Sequence, residues 1–317
     1  MEQPLFLGSR FFKGHGHGND YLVFEEGDSW LVTRESVQTV CHRTRGVGGD
    51  GIVALLNPPL SHGQAAGYGP SMKAEAFRLR MFNPDGSEFE RSGNGLRILG
   101  AFLYSQRRVT RGSGFPVEVG GETVQIEILA EEPGGTLNVA VDMGFARIGM
   151  GAVGGTEGRI GPEGPTGVTS EVDGPEGRLL TVIPVSVGNP HCVVFRAELR
   201  ESDLRELGPF LTNHPVFPAG VNVQLAEVRG PGEVEILIWE RGVGRTASSG
   251  SSACAVAAGG VAAGLLEPGG ISVKMEGGSF LVTVSEELDV RLEGPVQPLC
   301  AGTLDDSLLL GLEAIKS

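Results

Sequence analysis

Two stretches of the chain are built on one plan, and a duplication of this kind restricts the fold more than any bulk property. Residues 83–95 read NPDGSEFERSGNG and residues 240–252 read ERGVGRTASSGSS. Each opens on a polar anchor, Asn83 or Glu240, nine residues ahead of a Ser-Gly pair, Ser92-Gly93 or Ser249-Gly250. Each is followed by an apolar run of helical length, Leu96 to Tyr104 and Ala253 to Leu266. A helix apolar on most or all faces belongs inside a core. One such helix per copy predicts two related halves, with both serines facing one site.

Strand signals dominate the rest. Val117 to Ile128 alternates apolar and polar residues about Gly120-Gly121, the pattern of a hairpin. Leu137 to Val141, Val234 to Trp239, Ile271 to Met275, Phe280 to Val284 and Val290 to Leu292 also read as strands. The expected fold class is α+β: two pseudo-symmetric halves, each a mostly antiparallel β-sheet wrapped around a central α-helix. The halves are expected at 1–135, completed by 296–317, and at 136–295. Residues 149–177 hold ten glycines and three prolines without periodicity, and read as a long mobile loop inserted between strands.

Bulk properties remove some classes of function. The 317 residues suffice for one large core or two medium ones. A net charge of -14 disfavours nucleic acid and anionic membranes as partners. The four cysteines are widely spaced with no CxxC, which fits a reduced, cytoplasmic protein. The first residues lack the pattern of a signal peptide. The longest apolar run, Ala253 to Leu266, is too short to span a bilayer.

The two helix starts carry the chemistry. Serine caps a first turn, and glycine lets a ligand approach the backbone. Exposed N–H groups and the helix dipole then favour an anion such as a carboxylate. A bare capping role explains either serine alone; the duplication favours a shared site. Elsewhere, Gly14 to Asp20 is glycine-rich and carries His15 and His17, but no third ligand at a recognised spacing, so no metal is expected. Gly188-Asn189-Pro190 reads as a turn between strands, which leaves His191 unexplained. Asn222 reads as a polar residue in a strand.

Together these segments resemble the diaminopimelate epimerase family over nearly the whole chain. The likeness rests on the order of Lys13 to Asp20, Arg45 to Gly51, Asn83-x-Asp85-Gly86-Ser87 with Gly93-Asn94-Gly95-x-Arg97, and Gly188 to His191. It continues through Phe217-Pro218, Val221-Asn222-Val223, Glu240-Arg241-Gly242-x-Gly244 and Gly250-Ser251-x-Ala253-Cys254-Ala255. The resemblance implies an amino-acid substrate, no cofactor, and a cleft between two halves. In it one thiolate takes the α-proton and a second thiol delivers a proton to the opposite face, converting LL-diaminopimelate to the meso isomer for lysine and cell wall. By resemblance Asn19, Asn83, Asn189, Asn222, Glu240 and Arg241 hold the distal amino-acid group. Gly93, Asn94, Gly250 and Ser251 hold the reacting carboxylate. His191 and Glu240 support the acid/base pair. Similar enzymes are commonly dimers, so a homodimer is allowed.

The departure is at the acid/base positions themselves. The family's two catalytic cysteines align with Ser92 and Ser249. A thiol titrates near 8.5 and is lowered at a helix N-terminus, whereas a hydroxyl is far less acidic. Arg245 stands where the family usually has an acidic residue; it could strengthen anion binding or point to solvent. Four readings therefore stand open at the level of sequence. They are an epimerase of this family, a lyase or isomerase on another amino acid, a non-catalytic amino-acid-binding homologue, and a deliberately inactivated epimerase.

Overall fold

The computed structural model describes residues 4–56, 76–156, 159–160 and 167–314. The chain forms two compact units, Met1–Val141 with Pro295–Ser317, and Asp142–Gly294. The first contains, in order, β1 (Phe6–Gly16), β2 (Asn19–Glu26), β3 (Trp30–Leu31), α1 (Arg34–Cys41), β4 (Ile52–Leu56), β5 (Phe77–Phe82) and β6 (Glu88–Phe89). It continues with α2 (Gly93–Ser105), β7 (Phe115–Val119), β8 (Glu122–Glu131) and β9 (Leu137–Phe145). The second contains β10 (Arg147–Ile148), β11 (Arg159–Ile160), β12 (Ser170–Asp173), β13 (Leu179–Ser186), β14 (Pro190–Phe195), α3 (Glu201–Thr212), β15 (Asn222–Gly230) and β16 (Glu233–Glu240). It goes on through β17 (Gly244–Thr246), α4 (Gly250–Ala262), β18 (Gly269–Met275), β19 (Gly278–Val284) and β20 (Asp289–Thr303), and α5 (Asp306–Ala314) follows. The boundary between units falls inside β9 and β20.

In the first unit the strands close on themselves. The order is β1, β2, β4, β5, β7, β8, β9, β20 and back to β1. Two neighbours are parallel, β2 with β4 and β5 with β7. A parallel pair needs a crossover, and each crossover here carries a helix, α1 and α2 respectively. Period-two alternation then sorts the side chains. On β2, Leu22 and Phe24 join Trp30, Val37, Val40, Ile52 and Leu312 in an outer cluster beneath α1 and α5. Tyr21 turns the other way, toward α2. From Gly93 to Leu103 every residue of α2 is buried.

The second unit repeats the plan: β13, β14, β15, β16, β18, β19, β20 and β9 continuing into β10, which pairs back with β13. Its parallel pairs, β14 with β15 and β16 with β18, are bridged by α3 and α4. Cys192, Val194, Val223 and Leu225 pack with α3 through Leu204, Leu207 and Leu211 on one face. His191 and Gln224 lie on the opposite parity, and Gln224 bonds to Ser252 of α4. The α+β class and a buried helix for each sheet match the sequence reading, as do all the strands it named.

Three differences have physical causes. α4 stops at Ala262, short of the apolar run's end, because Gly264 takes a left-handed φ of 68° and Leu265 N turns back to Gly260 O. α1, α3 and α5 carry no long apolar run. α1 is nucleated instead by a Thr33–Ser36 capping box, and α3 by Glu201 and Asp203 in its first turn despite an internal Pro209. The stretch at 149–177 is not a bare loop. It holds 3₁₀ turns at Met150–Val153 and Pro175–Gly177 and strand β12, with Val153 and Val172 buried in the α3 core. Residues 157–158 and 161–166 of that stretch lie outside the described residues.

Candidate functional site

Both serines are N-caps. Ser92 has extended backbone (φ -128°, ψ 124°) and its hydroxyl accepts from Gly95 N at 3.2 Å. Ser249 (φ -154°, ψ 119°) accepts from Ser252 N at 3.5 Å. In each case the hydroxyl satisfies an N–H that the helix cannot, and remains able to donate its own proton. The Ser249 and Ser251 hydroxyls lie 3.5 Å apart. The sequence-derived site residues fall into two sets, one in each unit.

In the first unit a chain of polar contacts leads to the α2 start. Asn94, buried, donates through Nδ2 to Asn19 Oδ1 at 2.7 Å and to Asn19 O at 2.8 Å. Its Oδ1 accepts from Arg97 one turn on. No side chain fits at residue 16, because a Cβ there would overlap Asn94 Oδ1, so Gly16 is obligatory for this approach. Asn19 donates through Nδ2 to Asp50 at 3.0 Å, and Asp20 N donates to the same carboxylate at 3.1 Å. Arg43 spans Asp20 and Asp50, both at 2.6 Å, and Lys13 meets Asp20 at 2.9 Å. Burial works against the Asp20 charge, but Arg43 and Lys13 outweigh it and hold its carboxyl below the usual range. Burial and the neighbouring Asp20 charge hold Asp50 above it. Asn83 stays in its own turn and donates to Ser87 Oγ at 3.0 Å. Gly93 is buried in the first helical turn.

In the second unit the support is neutral. Asn189 Oδ1 meets His191 Nε2 at 2.9 Å, and Asn189 Nδ2 donates to Ser251 Oγ at 3.4 Å. Burial pushes His191 down to about 3, so the imidazole is neutral. Asn222 ties two strand ends together, donating to Pro190 O at 3.1 Å and accepting from Arg241 N at 3.0 Å. The Arg241 guanidinium reaches Ala219 O at 2.8 Å. Glu240 accepts from the Thr246 hydroxyl at 3.0 Å. Gly250 opens α4, buried.

Arg245 neither points to solvent nor stands as an unopposed cation. It bonds Glu201 at 3.1 Å and Glu276 at 2.7 Å, tying β17 to the α3 start and to the β18–β19 turn. Two carboxylates therefore balance its charge. His15 closes the β1–β2 turn, its Nδ1 accepting from Gly18 N at 3.2 Å. Cys192 and Cys41 do not replace the missing thiols: burial pushes Cys41 up to about 12 and Cys192 higher still. Sequence reasoning missed Lys13, Asp20, Arg43 and Asp50 as one network, and Gln224 with Ser252. Gln224 could have been found from strand parity, two positions beyond Asn222.

A buried helix inside a closed eight-strand ring, made twice, is a fold shared with solved epimerases and related proteins. The structure of a hydroxyproline epimerase from Agrobacterium vitis with bound trans-4-hydroxy-L-proline aligns with TM-score 0.65 at 15% identity, over 94% of this chain and 93% of that one. A phenazine biosynthesis protein from Bacillus anthracis aligns with TM-score 0.60 at 13% identity, over 96% and 100%. At the level of sequence the match is narrower. The chain belongs to the diaminopimelate epimerase family, whose model matches residues 11–149 and 183–297. It is 38% identical to the diaminopimelate epimerase of Desulforudis audaxviator over 92% of this chain and 98% of that protein. With that of Heliobacterium modesticaldum it is 34% identical, over 93% and 99%. Among the described residues no helix is long and apolar enough to cross a membrane.

Proposed function

We propose that this chain is a cofactor-independent amino-acid isomerase of the diaminopimelate epimerase type, which recognises diaminopimelate but transfers its α-proton slowly. One observation carries the reading: the same serine-capped helix start occurs at equivalent places of two repeated units. Each start offers backbone N–H groups and a hydroxyl, suited to a carboxylate and to the developing charge at its α-carbon. Asn19, Asn83, Asn189, Asn222, Glu240 and Arg241 supply polar groups for the distal end of the ligand. In this reading Ser92 and Ser249 occupy the two acid/base positions, and His191 supports the second.

Magnitudes decide how fast such a pair can work. A helix N-terminus favours an anion by about 0.3–1 kcal/mol, up to about 2. That is roughly one pKa unit, enough to make a thiol with a pKa near 8.5 substantially ionised near neutrality. A serine hydroxyl is far less acidic than a thiol, and the same unit leaves it essentially un-ionised near neutrality. The serines can donate a proton, but they are poor bases.

The experiment is α-proton exchange in heavy water with LL- and meso-diaminopimelate, together with ligand-induced thermal stabilisation. We expect meso-diaminopimelate to raise the melting temperature of the native chain. Exchange should be at least about 10²-fold faster in the Ser92→Cys, Ser249→Cys double variant. If neither protein binds diaminopimelate or exchanges its α-proton, the reading fails. If the native chain binds and does not exchange at all, it is an amino-acid-binding homologue; engagement of both hydroxyls in capping favours that second reading. Cytoplasmic location and a homodimer complete the proposal, and sedimentation reads the latter.

A further inference from the structure

Asn19 and Asn94 meet side chain to side chain at the α2 start, between groups whose hydrogen-bonding sense is fixed. The two ends of an amide have nearly one shape, so its partners decide which way it points. Asn94 lies beside Arg97, which is fully buried and can only donate. Arg97 donates to Asn94 Oδ1. Asn94 Nδ2 faces two backbone carbonyls, Asn19 O at 2.8 Å and Gly16 O at 3.3 Å, which can only accept. At the far end stands Asp50. Arg43 donates to its Oδ1 at 2.6 Å, and the Asp20 N–H to its Oδ2 at 3.1 Å. Neither donor can accept, so Oδ2 is an acceptor and Asn19 turns Nδ2 to it, at 3.0 Å. Asn19 Oδ1 then takes Asn94 Nδ2, at 2.7 Å. The bonds run one way, from Arg97 through Asn94 and Asn19 to Asp50.

The sister unit shows that the fold does not demand these end groups. Val53 pairs with Val23 and Met81, as Gln224 pairs with Val193 and Ile238. Counted from these pairs and from the capping serines, Asn19, Asp50, Asn94 and Arg97 correspond to Asn189, Val221, Ser251 and Cys254. Asn189 and Ser251 keep the contact, at 3.4 Å. Val221 and Cys254 are buried, and supply neither a guanidinium nor a carboxylate. The Ser251 hydroxyl can donate or accept, so the helix side imposes no direction on that pair.

We propose that Asp50 and Arg97 are positioning residues that set specificity: they lock the Asn94 and Asn19 amides so that Asn19 offers a ligand a donor. Asn19 Nδ2 carries two hydrogens, and Asp50 takes one. The other suits a carboxylate oxygen and opposes an ammonium. The choice of ligand group deepens the function proposed above and rests on it, whereas the orientation of the amides does not.

The test uses ¹⁵N-asparagine-labelled full-length protein, with the two side-chain amides assigned by their loss in Asn19→Ser and Asn94→Ser. In the native chain each amide should give one pair of signals with slow solvent exchange. Asp50→Val installs the sister unit's residue and should speed exchange of the Asn19 amide at least about tenfold. Asp50→Asn keeps an oxygen facing Asn19 and should stay near the native pattern. Binding is then read with meso-diaminopimelate, with 2-aminopimelate, which lacks one ammonium, and with lysine, which lacks one carboxylate. In Asp50→Val, affinity for the first two should fall roughly tenfold, and that for lysine by less than about twofold. A fall by one common factor for all three overturns the proposal. So do amides that exchange freely in the native chain, or exchange unchanged by Asp50→Val. Where lysine binds too weakly to measure, or Asp50→Val does not fold, the native amide exchange decides alone. If diaminopimelate fails to bind even the native chain, the functional reading falls and the amide signals still judge the orientation.

Discussion

The two helix starts share a cap, a strand order and a register, yet they are held in opposite ways. The α2 start sits on a largely apolar layer and is framed by ions: Lys13, Asp20, Arg43 and Asp50, linked through Asn19 to Asn94. The α4 start sits on a neutral polar layer, His191, Gln224 and Ser252, linked through Asn189 to Ser251. Duplication fixed the frame, and the two copies diverged in what backs the cap. The difference teaches that a cap is specified locally, whereas its electrostatic setting is specified by residues distant in sequence.

The comparison can be broken at several points, and the largest effect lies at the caps themselves. Restoring thiols at both should raise α-proton exchange by about 10²–10⁴-fold, read by deuterium incorporation. A rate unchanged by the double substitution would mean that the two starts do not act as an acid/base pair. Next comes the ionic frame. Asp20 has 6% of its side chain exposed, and Asp20→Asn leaves Lys13, 15% exposed, without its counterion. We expect a loss of about 3 kcal/mol in chemical denaturation. A loss below 1 kcal/mol would make the frame an ordinary surface network.

The neutral frame should answer to pH instead. The folded-state pKa of His191 is about 3, against roughly 6.5 when unfolded, so the unfolded chain binds more protons between those values. Stability from this group is complete above pH 6.5 and is lost as the pH falls toward 3. Between pH 7 and pH 5 the loss is about 2 kcal/mol, and His191→Gln should remove that increment from the denaturation profile. Equal pH slopes in the two proteins would show His191 to be solvated. The smallest effect separates the caps. Ser92→Ala and Ser249→Ala should each cost about 1 kcal/mol, with Ser92→Ala the larger because its bond is shorter, 3.2 against 3.5 Å.

Much of this was legible in the sequence because it was local. The two capped helices, the Gly120-Gly121 hairpin and the strands followed from period and spacing. What escaped was set by pairing at a distance. Asp20 reads as the end of a glycine-rich stretch until Arg43 and Asp50 are brought to it. Gln224 reads as one more strand residue until β15 is laid beside β14 and faces Ser252. Arg245 reads as an unopposed cation until Glu201 and Glu276 close on it. Closure of the rings was equally hidden, since nothing in β1 announces that β20 will pair with it.

That closing strand has a consequence for biosynthesis. β20 completes the ring of each unit, pairing with β19 and with β1, and it begins only at Asp289. A growing chain therefore carries both sheets with unpaired edges until β20 has been made. Open edges of this kind are templates for aggregation, and long-range pairing is slow. A nonsense change shortly before residue 289 would leave every copy of the protein as two unsealed sheets and a burden on chaperones.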